Sequence, residues 1–146
     1  MNHAKPRLLM LTSSFPNGRG DETCGYIRDF ARSLASDFAV EVLAPRDQRA
    51  IAWPLDLFTL VRSRSILPAR VDPFQATADF NRLLAGGSAM KTGGAISFPS
   101  YCKAAMQRAR NADVVVSHWM LPCGLPGALI QRLLGKPHLV IEHSGA

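Results

Sequence analysis

Short apolar runs alternate with amphipathic stretches along most of this chain. Short apolar or β-branched runs predict four strands, at 7–12, 39–44, 113–117 and 136–142, and the continuous apolar run at 7–12 suits a strand that is buried on both faces. Apolar residues recur at helical spacing over 26–37 and 124–134, and Ser100 is a candidate cap for a further helix that runs to about residue 111. Strands that alternate with helices of this length indicate βαβ units. The predicted fold class is therefore α/β, with a Rossmann-like parallel sheet flanked by helices.

The length of the chain fits one domain. Its 146 residues lie within the usual size of a single domain and are enough to bury a core. Prolines and glycines interrupt the pattern between residues 46 and 99, where the clearest remaining signal is a short amphipathic helix over 55–64. We therefore predict one domain over 1–146, with an irregular insertion at about 46–99.

Composition and charge narrow the class of partner. The net charge of +6 favours anionic partners, but the basic residues are scattered and form no nucleic-acid-binding signature. Three cysteines without a Cys-x-x-Cys pair argue against a disulfide framework. No stretch approaches the roughly 18 uninterrupted apolar residues that a transmembrane helix requires. These features predict a cytoplasmic protein that binds no nucleic acid. They leave open a peripheral contact with the inner face of the membrane through the apolar segment 53–58.

Polar and small residues follow the predicted strands directly. In open parallel sheets, ligands bind beyond the carboxyl ends of the strands, so the loops after the strands are the candidate site. His118 and His143 each come one residue after a predicted strand, which places them at equivalent positions. Either histidine could instead cap its strand or pair with a backbone carbonyl. The candidate residues in these loops are Ser13, Ser14, His118, Trp119, His143, Ser144 and Gly145.

The start of the first predicted helix is a second candidate site. Gly25 would allow a phosphate to approach the helix amino terminus, where unpaired N–H groups and the helix dipole favour an anion. The preceding loop is neither a Walker motif nor a dinucleotide-binding fingerprint, so it adds little by itself. The spacing of His118, Cys123, His138 and His143 fits no common zinc site, and we expect no metal.

Three segments of the chain carry motifs in a characteristic order. The first segment comprises residues 8–16, which contain the first predicted strand, and residues 20–34, which lead into the first predicted helix. The segment 111–125 includes Ser117-His-Trp-Met-Leu-Pro-Cys-Gly124, and the segment 135–145 is a strand that ends in His-Ser-Gly. Together these segments resemble the N-terminal domain of family-four glycosyltransferases of the GT-B fold. That family often has Asp-Val-x-His-x-His-Trp-x-x-Pro-x-Gly in the middle segment and His-Gly or His-Ser at the end of the last strand.

The resemblance implies a role for each candidate residue. His143 would be the catalytic-site residue that hydrogen-bonds the transferred sugar, and Cys24 and Gly25 would approach the diphosphate of a nucleotide-sugar donor. The family usually has two glycines in this first loop, and here Cys24 replaces one of them. The implied reaction transfers a hexose to a glycan or lipid-linked acceptor with retention, without a metal or another cofactor. The acceptor side of the cleft would be lined by Ser13, Ser14, His118, Trp119, Ser144 and Gly145.

The resemblance also implies a second domain that this sequence lacks. In the family, a C-terminal domain binds the nucleotide sugar and carries a Glu-x7-Glu motif, which is absent here. One interpretation is therefore a partial, N-terminal glycosyltransferase domain that is inactive alone. A second is the acceptor-binding subunit of a split glycosyltransferase, whose partner subunit binds the donor. A third, from another class, is a non-catalytic module that binds a nucleotide or another anion.

Overall fold

Five strands and three helices make up the part of the chain that the structure, a computed structural model, describes. That part comprises residues 4–18, 20–47, 50, 56–65, 67, 72 and 87–143, without the side chains of 89–91. The strands are β1 (Arg7–Leu11), β2 (Ala39–Pro45), β3 (Thr59–Ser63), β4 (Val114–His118) and β5 (His138–Ile141). The helices are α1 (Gly25–Leu34), α2 (Ser88–Ala109) and α3 (Leu125–Leu134), and an irregular helical turn (Met120–Gly124) precedes α3.

The strands form one parallel sheet in the order β3-β2-β1-β4-β5. The predicted fold class, a Rossmann-like parallel sheet flanked by helices, is confirmed. All four predicted strands are present, as are the helices predicted at 26–37 and 124–134, and the observed ends differ from the predicted ones by three residues at most. Because every strand runs in the same direction, the residues that follow the strands gather at one edge of the sheet.

Helices cover both faces of the sheet. α1 packs on the face that carries Leu8 and Met10, whereas α2 and α3 pack on the face that carries Leu9 and Leu11. Successive residues of a strand point to opposite faces, so alternate residues of β1 enter two separate hydrophobic clusters. This double burial explains why the central strands are continuous apolar runs in the sequence.

Helix α2 begins at Ser88, well before the cap that was predicted at Ser100. That prediction was wrong because Gly93, Gly94 and Pro99 were interpreted as interruptions, and all three lie inside the helix. Both glycines are buried. Because glycine has no side chain, it lowers the helix propensity of this segment but allows close packing. Pro99 removes one backbone hydrogen bond. Packing of the helix against the sheet therefore outweighs the local preferences of these residues.

Strand β3 lies where a short helix was predicted over 55–64, so that prediction was wrong for the described residues 56–64. β3 pairs in parallel with β2, and Leu60 is opposite Val42. A short apolar segment fits either period, and the pairing with β2 makes the strand the favoured state. The predicted membrane-contact segment 53–58 is only partly described: its residues 53–55 lie outside the described part, Leu57 is exposed and Phe58 is buried.

The Tyr101 side chain connects α2 to the carboxyl edge of the sheet through hydrogen bonds. Its hydroxyl lies 3.1 Å from the carbonyl oxygen of Thr12 and 3.2 Å from that of Leu43, so it donates to the ends of β1 and β2. Complete burial raises the pKa of this hydroxyl well above its ordinary value, and the group stays a neutral donor. The second half of α2 is thereby tied to the edge where the loops gather.

Replacing Tyr101 by phenylalanine is expected to lower the free energy of unfolding by about 1–2 kcal/mol, because buried carbonyl groups lose a donor while the ring still packs. Chemical denaturation measures this change. Tyr26→Phe is the matched control, since the Tyr26 side chain is 47% exposed and should contribute less than about 0.5 kcal/mol. Equal losses in the two variants would contradict a specific role for the Tyr101 hydroxyl.

Arg62 on β3 holds the loop that follows β1. Its guanidinium donates to the carbonyl oxygens of Phe15, Pro16 and Pro45 at 3.3, 2.6 and 3.0 Å, respectively. The same group lies 5.8 Å from the centre of the Phe15 ring, within the range of a cation–π contact. Burial lowers the pKa of Arg62, although the group remains charged. β3 thus determines the shape of the loop after β1.

Candidate functional site

The candidate site lies where the order of the strands reverses. β1 and β4 are neighbours at the centre of the sheet; the connection from β1 leads to β2 on one side, whereas the connection from β4 leads to β5 on the other. In sheets of this kind, ligands bind in the crevice at that reversal, beyond the carboxyl ends of the strands. The two loops that border it here are residues 12–24 after β1 and residues 119–124 after β4. Four of the nine predicted site residues belong to these loops: Ser13, Ser14, Cys24 and Trp119.

The structure brings His118 and His143 into direct contact. His118 is the last residue of β4, and His143 follows β5, the strand that pairs with β4. The Nδ1 atom of His118 lies 2.8 Å from the Nε2 atom of His143, and the two ring planes differ by only 3°. These values describe a hydrogen bond between nearly coplanar imidazoles. The histidines therefore form one unit, the histidine pair, rather than two separate strand caps.

Aromatic rings enclose the histidine pair. Tyr26 and Trp119 lie against His143, with ring centres 4.8 and 5.2 Å away. Phe30 packs edge-on against His118 at 5.5 Å. Tyr26 and Phe30 both come from α1, and neither was predicted as a site residue. Their contribution depends on the position of α1 against the sheet, and the only sequence signal was an aromatic residue in the first turn of the helix.

The loop after β4 presents Trp119 through several backbone hydrogen bonds. Trp119 has a positive φ of 67°, which is uncommon for a residue with a large side chain. Its amide donates to the carbonyl oxygen of Ile141, and its carbonyl oxygen accepts from the amide of Gly124. The next amide, of Met120, donates to the carboxylate of Glu142. β5 and its following residues thus hold the tryptophan beside His143.

His118 is buried and neutral. Only 1% of its surface is exposed, and burial, followed by the neighbouring His143, lowers its pKa to about 4. Its Nε2 atom is buried and has no hydrogen-bond partner among the described residues. His143 is only partly buried, so it is the member of the pair that a ligand in the crevice can reach.

The burial of His118 is expected to make the fold less stable in acid. The pKa is about 4 in the folded protein against an ordinary 6.5, so between these pH values the unfolded chain binds a proton that the folded protein does not. The free energy of unfolding should therefore fall by about 2–3 kcal/mol as the pH decreases from about 6.5 to about 4, and then level off. Denaturant unfolding at a series of pH values measures the slope.

The control for this acid effect is His118→Phe, which removes the titrating group but keeps a planar ring. In the variant, the number of protons taken up on unfolding between these pH values should decrease by about one. The free energy of unfolding should therefore depend less steeply on pH. A smaller slope is expected to remain, because burial also lowers the pKa of His138. An unchanged slope in folded His118→Phe would show that His118 is not the group responsible.

The two serines after β1 have different surroundings. Ser14 is buried, and its hydroxyl oxygen has no partner among the described residues. Its backbone is fixed by Thr12, whose hydroxyl donates to the Ser14 carbonyl oxygen at 2.7 Å. Ser13 is partly buried and hydrogen-bonds the thiol of Cys123, whose pKa burial raises to about 12. Cys123 is therefore an uncharged, buried thiol, which is not the state of a nucleophilic cysteine.

Cys24 and Gly25, the predicted phosphate-binding residues, lie at the amino terminus of α1. Cys24 adopts left-handed backbone angles, with φ at 54°, a conformation that glycine adopts more readily than a residue with a side chain. The Gly25 amide donates to the carbonyl oxygen of Glu22 at 3.0 Å. A Cβ atom on Gly25 would lie 2.7 Å from a carboxylate oxygen of Glu22, and Arg28 binds the same carboxylate. An acidic side chain therefore occupies this helix terminus.

His138, the first residue of β5, belongs to the packing rather than to the crevice. Its Nε2 atom lies 2.8 Å from the Ser117 hydroxyl, which in turn donates to the Cys123 carbonyl oxygen. The ring also packs directly on the backbone of α3 at Gly127, where an added Cβ would overlap the imidazole. His138 thereby links β4, β5, α3 and the turn before α3.

The remaining predictions concern Ser144, Gly145, a metal site and a transmembrane helix. Ser144 and Gly145 lie outside the described residues. Within the described ranges, no three His, Cys, Asp or Glu side chains are grouped so that they could hold a metal ion. Among the described helices, none has the length and apolar character of a transmembrane span.

Comparison of this chain with protein families and curated proteins identifies no relative. A scan against models of protein families finds no match to this chain, and a search of curated proteins finds no significant match. The site is therefore described by its own geometry: a hydrogen-bonded histidine pair with aromatic walls, at the reversal point of a parallel sheet.

Proposed function

We propose that this chain is the N-terminal, acceptor-side domain of a GT-B glycosyltransferase that transfers a hexose from a nucleotide sugar to a glycan or lipid-linked acceptor with retention. The observation that carries the proposal is the histidine pair, with Tyr26 and Trp119 against His143, in the crevice beyond β1 and β4. Aromatic faces can cover the apolar C–H faces of a sugar, while an imidazole N–H or lone pair binds its hydroxyl groups.

The arrangement gives His143 and His118 different tasks in this proposal. His143 is partly exposed, and its Nδ1 atom has no partner among the described residues, so it is the group that contacts the sugar. His118 lies behind it, buried against Phe30. Trp119 is held by backbone hydrogen bonds on both sides, which fixes its indole as a wall of the crevice. The residues that touch substrate are thus His143, Trp119 and Tyr26.

A retaining transfer of this kind requires little covalent chemistry from the acceptor-side domain. The sugar becomes cation-like as the diphosphate departs, and the protein contributes by positioning the reactants and by stabilising charge. In this proposal the diphosphate approaches the amino terminus of α1, where the helix dipole is positive. Arg28 holds the Glu22 carboxylate at Gly25, so an incoming diphosphate would replace that carboxylate beside the arginine.

Binding experiments on this chain test the proposal. Trp119 serves as the fluorescent reporter in a Trp53→Phe background, and the probes are an oligosaccharide panel, UDP- and GDP-hexoses, and free UDP and GDP. We expect saturable binding of an oligosaccharide, which His143→Ala weakens by about tenfold because one hydrogen bond is lost. Leu133→Ala, an exposed position on α3, is the matched control and should leave the affinity unchanged.

The same titrations separate the other interpretations. Tight binding of free UDP or GDP, with no response to any sugar, would contradict the proposal and favour a nucleotide-binding module. For the split enzyme, a pull-down with this chain should recover a subunit that carries a donor-binding domain. Failure to recover such a subunit would count against the split arrangement.

A further inference from the structure

The proton of the histidine pair has two alternative positions. A neutral imidazole carries one N–H and one lone pair. If His118 Nδ1 donates to His143 Nε2, the N–H of His143 is on its own Nδ1. If His143 Nε2 donates instead, the Nδ1 atom of His143 carries a lone pair and can only accept a hydrogen bond. The tautomer of His118 therefore determines whether the free nitrogen of His143 is a donor or an acceptor.

The burial of His118 Nε2 distinguishes these arrangements. That atom is buried and unpaired among the described residues. When His118 donates from Nδ1, its Nε2 atom is an acceptor without a partner. In the alternative arrangement, its Nε2 atom carries an N–H group without a partner. Buried N–H groups without a partner are rarer than buried acceptors without one. The first arrangement is therefore the more stable one, and burial keeps His118 neutral, as its lowered pKa indicates.

We infer that His118 is a positioning residue that holds His143 in its Nδ1–H form, so that His143 presents a hydrogen-bond donor to the crevice. The ligand atom opposite Nδ1 is then an oxygen acceptor. The identification of that ligand as a sugar rests on the proposed function, whereas the tautomer does not.

The other titratable groups around the pair leave this arrangement in place. Tyr26 faces His143 from α1, and its pKa is raised by burial and by the neighbouring Cys24, so the phenol stays uncharged. Glu142, at the end of β5, directs its carboxylate to the Met120 amide. Within the described part, no carboxylate forms an ion pair with either imidazole.

Nuclear magnetic resonance of the ligand-free chain tests the inference. Two-bond 1H–15N correlation spectra of protein with 15N-labelled histidine, recorded near pH 8 (above the ordinary histidine pKa), report which nitrogen carries each proton. We expect the Nδ1–H form of His143 to exceed the Nε2–H form by about tenfold, because the alternative leaves a buried N–H unpaired. His118→Leu should return His143 to the Nε2–H form that free histidine favours.

Each result decides the question. Wild-type His143 that is mainly Nε2–H would overturn the inference, and so would an unchanged Nδ1–H preference in folded His118→Leu. If His118→Leu does not fold, the wild-type spectrum still tests it. No sugar is present in this experiment, so a failure of sugar binding and a failure of the tautomer assignment are separate outcomes.

Discussion

Replacing Gly127 by alanine is expected to destabilise the fold by about 3 kcal/mol, because the new methyl group would overlap the His138 ring on a well-packed surface. The ring cannot move away freely, since its Nε2 atom is hydrogen-bonded to the Ser117 hydroxyl. Its displacement would also disturb the bond from Ser117 to the Cys123 carbonyl. The measurement is the free energy of unfolding from denaturant titration.

A double-mutant cycle shows whether His138 is the cause of this loss. In a His138→Ala background the ring is gone, so Gly127→Ala should cost less than about 1 kcal/mol, and the coupling between the positions should account for most of the effect. Gly87→Ala is the matched control, because a Cβ atom at Gly87 would meet no other atom within 4 Å. Additive losses at Gly127 and His138 would contradict the packing described here.

Replacing Arg62 by methionine is expected to have a comparable or larger effect, about 3–5 kcal/mol. The guanidinium donates to three carbonyl oxygens, and hydrogen bonds from a charged donor contribute about 1.5–3 kcal/mol each, with incomplete additivity. Methionine retains the apolar stem but leaves these carbonyl groups without their donor. Denaturant unfolding measures the loss.

Two further variants test the geometry of Arg62. Arg62→Lys keeps the charge, but a single ammonium group cannot replace a planar fork that spans Pro45 and Pro16, so at most half of the stability should return. Arg64→Met, at an exposed position after β3, should change stability by less than about 0.5 kcal/mol. Full recovery in Arg62→Lys would mean that charge, rather than the hydrogen-bond geometry, stabilises the loop.

The sequence predicted four of the five described strands and missed β3. β1 and β4 are continuous apolar runs because helices cover both sides of them. β3 pairs with β2 at the edge of the sheet, most of its residues are only partly buried, and its short pattern also suited a helix. The first half of α2 was missed because its two glycines and its proline are locally unfavourable, and only packing against the sheet compensates for them.

The sequence predicted the place of the candidate site better than its internal organisation. The rule for parallel sheets selected His118, Trp119 and His143, because their position after the strands can be read along the chain. It could not show that the two histidines bond to each other, which depends on the register of β4 with β5. Tyr26 was missed for a similar reason, since its contact with His143 depends on how α1 sits against the sheet.

The course of α2 through Pro99 divides that helix into two segments of unequal local stability. Proline has no amide to offer the preceding turn, and Gly93 and Gly94 have a low helix propensity, so we expect this first segment to open more readily than the rest of the domain. The second segment is anchored by Tyr101 to the ends of β1 and β2. Fraying of α2 from its amino terminus should therefore stop before the edge of the sheet that carries the histidines.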